Sequence, residues 1–359
     1  MSSIEPGLLA RLSRALQRRW WQARPTAATR LLRPLSALYE TLAERRRRST
    51  PAESAGLPVV VVGNLIVGGA GKTPTVIALV QALRALGWTP GVISRGHGRA
   101  EGGVAEVRRD SRARAVGDEP LLIHLRSGAP VVVGRDRIAA ARALCAAHPQ
   151  VNLLLADDGL QHWRLARDAQ VIVFDDRGAG NGLTLPAGPM RQRLPDNVPR
   201  RSVVLYNAGA PSTPLPGWCA QRRLAGAVEL GDWWAGQPPS LEALAALKGR
   251  PVVAVAGIGS PERFFSMLRA QGLSLSPCPV PDHHDYATLP WPPGTTDVVL
   301  TEKDAIKLDA RRCAGTRVWV VALDFALPGG FVSALSQLLP APPPPPAFPA
   351  FPPASVADP

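Results

Sequence analysis

The chain has 359 residues, 46% of them hydrophobic, which is enough for two substantial cores, and a formal net charge of +13 from 41 basic and 28 acidic residues. Its four cysteines (Cys145, Cys219, Cys278, Cys313) have no CxxC pair or metal-ligand spacing and read as reduced structural thiols. No stretch holds the ~18 apolar residues of a spanning helix, and the start lacks the apolar core of a cleaved signal peptide, so cytoplasmic residence is expected.

So basic a chain calls for an anionic partner: nucleic acid, a membrane surface or a phosphorylated substrate. Residues 1–50 carry eleven arginines against three glutamates. Within them Leu31, Leu32, Leu35, Leu38, Tyr39 and Leu42 recur at helical spacing, Arg45 to Arg48 follow, and Trp20 and Trp21 lie upstream. Two readings fit this segment. One is an amphipathic helix in an anionic lipid interface; the other is a helix packed on the protein's own core.

From residue 58 short β-rich runs alternate with helical stretches. Strands are expected at Pro58–Val62, Gly91–Ile93, Val131–Val133, Val151–Leu155, Val171–Phe174 and Ser202–Tyr206, with helices at Thr73–Leu86 and Arg135–Ala147. This rhythm predicts an α/β fold, a mostly parallel sheet with helices on both faces. A stretch rich in proline, glycine and tryptophan, 207–240, interrupts it. Alternation resumes at Pro251–Ala256, Pro261–Gln271, Asp297–Thr301 and Val318–Ala322, predicting a smaller α/β lobe. The expected divisions are 1–50, 51–240, 241–335 and a proline-rich, mobile tail, 336–359.

The most informative stretch is VVVVGNLIVGGAGKT, residues 59–73. A buried strand enters a glycine-rich loop, and a helix begins at Lys72 and Thr73. Backbone N–H groups of Gly68, Gly69, Ala70 and Gly71 can turn toward phosphate oxygens, aided by the helix N-terminus. Lys72 can reach the β- and γ-phosphates of ATP, and the Thr73 hydroxyl can bind Mg²⁺. Ile66 stands where the full pattern asks for glycine. The chain has only four lysines (Lys72, Lys248, Lys303, Lys307); a lysine kept amid so much arginine suits a site needing a compact ammonium.

Two acidic clusters are placed for phosphoryl transfer. Asp157 and Asp158 follow an apolar run, at the strand edge where parallel sheets bind ligands, and can hold Mg²⁺ directly or through water. Gly117-Asp118-Glu119-Pro120 reads first as a helix start, Asp118 capping and Glu119 favouring the dipole. Asp282-His283-His284-Asp285 fits a general-base relay or a polar loop better than a two-histidine metal site, since adjacent side chains do not converge.

These stretches resemble the tetraacyldisaccharide 4′-kinase family. The resemblance rests on VVVGNLIVGGAGKTP (60–74), ISRGHGR (93–99), VGDEPLLI (116–123), LADDGLQHWRL (155–165), GNGLTLPAGPMRQ (180–192), VAGIGSPERFF (255–265), PDHHDY (281–286) and TEKDAIKL (301–308). It implies a P-loop kinase that moves the ATP γ-phosphate to the 4′-hydroxyl of an acylated glucosamine disaccharide 1-phosphate, giving lipid IVA. It also implies a two-lobed fold with the site in the cleft, and peripheral association with the cytoplasmic face of the inner membrane. Asp118 matches the family's catalytic base, assisted by His283. Glu119 and Thr73 match positions near Mg²⁺, and Asp157 and Asp158 match its strand-end pair. His97 replaces an expected tyrosine and Gln192 an expected glutamate.

A membrane-associated P-loop ATPase switch acting through protein partners is the alternative, told apart by whether turnover needs a lipid-linked acceptor. Nucleic acid is not an expected partner, because aromatics form only 5% of the chain.

Overall fold

The computed structural model describes residues 15–99 and 102–343. Residues 1–14 of the expected N-terminal segment, and 344–359 of the proline-rich tail, lie outside the described residues.

The first sheet contains β1 (Val59–Gly63), β2 (Pro90–Ser94), β3 (Ala105–Val107), β4 (Val131–Val133), β5 (Leu153–Asp157), β6 (Ala169–Asp175), β7 (Ser202–Asn207) and β8 (Trp218–Cys219). Its spatial order is β3-β4-β2-β5-β1-β6-β7-β8, parallel except for the β3–β4 edge. Every residue of β1, β2, β4 and β5 is buried. That is why these strands read as unbroken apolar runs and not as alternating patterns. Helices Lys72–Ala85 and Arg137–Ala147 cover the sheet; Asp136 caps the second, its carboxylate accepting from the N–H groups of Ile138 and Ala139.

The second sheet contains β9 (Gln221–Glu229), β10 (Val252–Ala256), β11 (Leu275–Pro279), β12 (Asp297–Thr301) and β13 (Arg317–Ala326), in the order β11-β10-β12-β13-β9. Only β9 runs antiparallel to its neighbour. The expected boundary at residue 240 needs correction, because β9 lies before it and pairs along β13. The end of that lobe is corrected too. Helix Gly329–Ser336 returns to pack on β7, and Phe331 meets Trp218 edge to face.

The N-terminal segment is helical over Ala27–Leu31 and Arg33–Ser49, broken at Leu32 before Pro34. One face docks on the loop 183–191: Ser36 Oγ donates to the Thr184 carbonyl, Tyr39 Oη to the Arg191 carbonyl, and Glu40 accepts from Thr184 Oγ1. The leucines split away from Tyr39. Leu31, Leu35, Leu38 and Leu42 are 54–81% exposed. Trp20 is buried, its indole N–H on the Pro186 carbonyl, and Trp21 lies under the Arg177 guanidinium. These two tryptophans therefore serve the fold, not a lipid interface. Among the described residues no helix is long and apolar enough to cross a membrane.

Candidate active site

Both sheets deliver their site residues from the C-terminal ends of parallel strands, where the chain leaves the sheet and backbone groups are free to bind ligands. β1 runs into the phosphate loop, β5 ends at Asp157, and β12 ends at Thr301, which caps a short helix carrying Lys303.

Gly68 and Gly71 have φ of 89° and 88°, values that L side chains avoid. Gly71 also has no room: a Cβ there would lie 1.8 Å from Asn207 Nδ2. Asn207 donates to the Ala70 carbonyl, Asn64 Nδ2 to the Gly68 carbonyl, and Arg177 to the Gly69 carbonyl. With the carbonyls held outward in this way, the loop's N–H groups are left for a ligand. The non-glycine at Ile66 has a structural reason: it is buried in an antiparallel bridge to Met190, and Val67 N–H donates to the Pro189 carbonyl. The 183–191 loop thus fixes the turn that a first glycine would otherwise make.

Lys72 is buried, its Nζ 3.3 Å from Asn64 Oδ1 and 3.6 Å from Asp158 Oδ1. Arg191 Nη1 lies 3.0 Å from the same Asp158 oxygen. Burial would raise the Asp158 pKa, but Lys72 and Arg191 outweigh it and hold the carboxyl below its ordinary value. Asp157 behaves in the opposite way. Burial above all, then the negative charges of Glu119 and Asp158, push it up to about 7. Its Oδ2 accepts from Ser94, while its buried Oδ1 has no protein partner. Behind it the buried Arg137 donates to the Asp157 carbonyl at 3.3 Å.

Asp118 is the first residue of helix Asp118–Ser127, and Gly117, not Asp118, holds the cap position. The cap reading of Asp118 is therefore corrected. Its Oδ1 accepts from the Glu119 N–H, and its Oδ2 lies 2.8 Å from His283 Nδ1. Because an ionised carboxylate can only accept, that nitrogen carries the proton. Burial would raise the Asp118 pKa, but the His283 hydrogen bond and the charge of Lys303 outweigh it and keep the pKa below the ordinary aspartate value. The same hydrogen bond raises the pKa of His283, against burial and the charge of Lys303.

The DHHD side chains diverge. Asp282 faces Lys303, His283 faces Asp118, His284 accepts from the Tyr286 N–H, and Asp285 accepts from the Ala287 N–H. His97 has its ring 5.8 Å from that of His283.

Two cavities flank this point. One, of about 260 Å³, lies between the lobes and is lined by Gly69 to Thr73, Glu119, Arg263, Asp282 and Lys303. The other, of about 950 Å³, is lined by His97, Arg112, Asp118, His283, Lys307 and Arg311. Asp118 and His283 face the second cavity, while their sequence neighbours Glu119 and Asp282 face the first. The carboxylate–histidine pair thus stands in the partition between the phosphate loop and a separate cleft.

Among the described residues no three His, Cys, Asp or Glu side chains cluster tightly enough to hold a metal unaided. Mg²⁺ does not require such a cluster, since it keeps several waters and binds through one or two carboxylates plus phosphate oxygens. Thr73 and Glu119 line the loop cavity, and the unpartnered Asp157 Oδ1 offers a further oxygen. The donor set fits.

A phosphate loop and a carboxylate on one lobe, faced by a second lobe that supplies a histidine and a lysine, belong to the phosphotransferases of the P-loop class. A family model described as tetraacyldisaccharide-1-P 4′-kinase matches residues 28–340, and the chain belongs to that family. It is 55% identical over 342 residues to a tetraacyldisaccharide 4′-kinase of Methylibium petroleiphilum, covering 92% of this chain and 94% of that one. The corresponding protein of Leptothrix cholodnii is 53% identical over 344 residues, 93% of this chain and 98% of its own. In fold the chain is similar to the "apo" form LpxK from Aquifex aeolicus in complex with ATP. The TM-score is 0.69 at 24% identity, covering 87% of this chain and 99% of that one. Family membership leaves the partner-driven switch without support.

Sequence reasoning missed several side chains that the structure brings in: Asn64, Asn207, Arg137 and Arg191. Arg191 lies in LPAGPMR and Asn64 in the loop motif, so a signal existed for both. Lys303 stood out as one of four lysines and as part of TEKDAIKL, with no role attached to it.

Proposed function

We propose that the chain transfers the γ-phosphoryl group of ATP to the 4′-hydroxyl of a tetraacylated glucosamine disaccharide 1-phosphate, yielding the 4′-phosphorylated product, lipid IVA. The observation that carries this is the Asp118–His283 pair at 2.8 Å in the wall beside the phosphate loop. An alcohol is a poor nucleophile, and an aspartate of low pKa is a weak base. It can nonetheless take the proton late, as the new oxygen–phosphorus bond forms and the γ-phosphorus separates from the β-bridging oxygen. His283 donates from Nδ1, orients the carboxylate and balances its charge.

The loop N–H groups cradle the phosphates, and Lys72 places its ammonium against the oxygens that gain charge. Thr73 and Glu119 would hold Mg²⁺, with Asp157 and Asp158 beside them, and the ion would supply charge neutralisation for the phosphates. The acceptor reaches Asp118 from the larger cavity, opposite the nucleotide.

The exposed leucine face supports peripheral attachment to an anionic membrane surface, at the cytoplasmic face of the inner membrane, where the acyl chains of the acceptor stay in lipid. Burying one leucine is worth about 2 kcal/mol, so four left in water form a surface with a strong tendency to leave it. Arg45 to Arg48 extend the same helix with charge suited to anionic headgroups.

The test is transfer itself. Purified protein, labelled ATP and the tetraacyldisaccharide 1-phosphate are expected to give labelled bisphosphorylated lipid. Hydrolysis of ATP at the same rate with and without the acceptor would contradict the reading.

A further inference from the structure

Lys303 is given no role by the reaction as proposed, yet its surroundings are specific. It sits on the short helix Glu302–Ala305 of the second lobe, with only 18% of its side chain exposed. Its Nζ lies 3.2 Å from Glu119 Oε1, on the first lobe, and 3.0 Å from Asp282 Oδ1, on the second. Glu119 immediately follows Asp118, and Asp282 immediately precedes His283. The Asp118–His283 bond and the Glu119–Lys303–Asp282 bridge are thus two parallel ties between the same two chain segments, one residue apart.

We infer that Lys303 is a positioning residue for the Asp118–His283 pair, its ammonium holding the two neighbouring carboxylates together so that base and histidine meet in register. This inference rests on the pair having the role proposed above. The physical need for such a tie is visible in the backbone. His283 has φ of 61°, a conformation costly for a residue with a side chain, and part of its ring is open to solvent. One hydrogen bond at 2.8 Å has to hold it there across a lobe boundary. The anchor on Asp282, one residue away, removes much of that freedom. A displacement of about 1 Å at a reacting group can cost on the order of 10²-fold in rate, so a tie that fixes the pair is worth a comparable factor.

The experiment is a mutant cycle in the full-length protein with ATP and the tetraacyldisaccharide 1-phosphate. Lys303→Met keeps the length of the side chain and removes its charge; Lys303→Arg keeps the charge. Lys303→Met is expected to lower kcat by about 10²-fold with the KM for ATP changed by less than about 3-fold. Lys303→Arg should recover part of that loss. In a His283→Ala background, adding Lys303→Met should cost less than about 3-fold more, because there is no longer a pair to position. A thermal melt of each variant shows whether it is folded.

Wild-type kcat in Lys303→Met would overturn the inference. So would an undiminished loss in the His283→Ala background, since that is the mark of a general structural role. A change confined to the KM for ATP would also overturn it, making Lys303 a nucleotide contact. No transfer by the wild-type protein would instead remove the proposed reaction, and full activity in His283→Ala would remove the pair.

Discussion

The two lysines of the interlobe cavity are held in opposite ways. Lys72 belongs wholly to the first lobe: Asn64 lies in the same loop and Asp158 at the end of the adjacent strand. Lys303 is shared, with one carboxylate partner on each lobe. The difference separates two tasks. The phosphate loop and the partners of its lysine all belong to one sheet edge of the first lobe. The Asp118–His283 pair, proposed as the base for the acceptor hydroxyl, exists only where the lobes touch. Substitutions on the first side should therefore damage nucleotide handling, and substitutions on the second should damage turnover with nucleotide binding kept.

The largest effect is expected at Lys72. Its replacement by alanine should lower kcat about 10³-fold, the scale of losing a preorganised charge at a transition state. Arginine should fail to restore it, since a planar guanidinium cannot fit a pocket built for a compact ammonium. Steady-state kinetics beside a melting curve checks both. A folded Lys72→Ala protein with wild-type turnover would break the phosphate-loop half of the comparison.

Asp118→Asn comes next. It keeps an oxygen for the Glu119 N–H but loses the base, so kcat should fall about 10²–10⁴-fold while ATP binding by calorimetry stays near wild type. Weak ATP binding in this variant would merge the two regions.

Gly71→Ala is a smaller blow, and it falls on the other side. Its φ of 88° and the 1.8 Å approach to Asn207 predict about 1–3 kcal/mol of loop strain. That should appear as weaker ATP binding, with much of kcat recovered at saturating nucleotide. Unchanged affinity would contradict the tight loop.

How much of this was legible in the sequence follows the same division. The phosphate loop could be read because strand, glycines, lysine and threonine are contiguous and their physics is local. The Asp118–His283 pair could not be read from residues alone, since its members lie 165 positions apart and GDEP looks like any helix start. Family resemblance singled them out; the fold brings them into contact. Strand β9 was hidden in a stretch whose prolines and glycines masked its pairing with β13. At the N-terminus, periodicity revealed an apolar stripe but could not say which way it faced. A leucine face toward lipid and one toward a core have the same spacing, and only packing tells them apart.

That outward face yields a prediction apart from both lysines. Leu35→Ser combined with Leu38→Ser should weaken binding to anionic vesicles, with the melting temperature unchanged because neither side chain is buried. Equal vesicle binding would remove the leucines from the attachment.

The smallest expected effect is on stability against pH. The folded pKa of His283 is raised, so its contribution is fully present below the unfolded value and is lost as pH rises through the folded one. That of Asp118 is lowered, so its contribution is present above the unfolded value and is lost as pH falls through the folded one. The stability gap between wild type and His283→Ala should therefore be widest between about pH 4 and 6.5 and narrow on either side. Denaturant melts across that range would show it, and a gap independent of pH would contradict the ion pair.

The most direct test of a base assembled between the lobes is the cycle of Asp118→Ala, His283→Ala and the double variant, with kcat measured at saturating ATP and acceptor. Residues that act as one unit lose together, so the double variant should be scarcely slower than the worse single one. If the two losses instead multiply, the residues act independently and the pair at the lobe boundary is not the catalytic base.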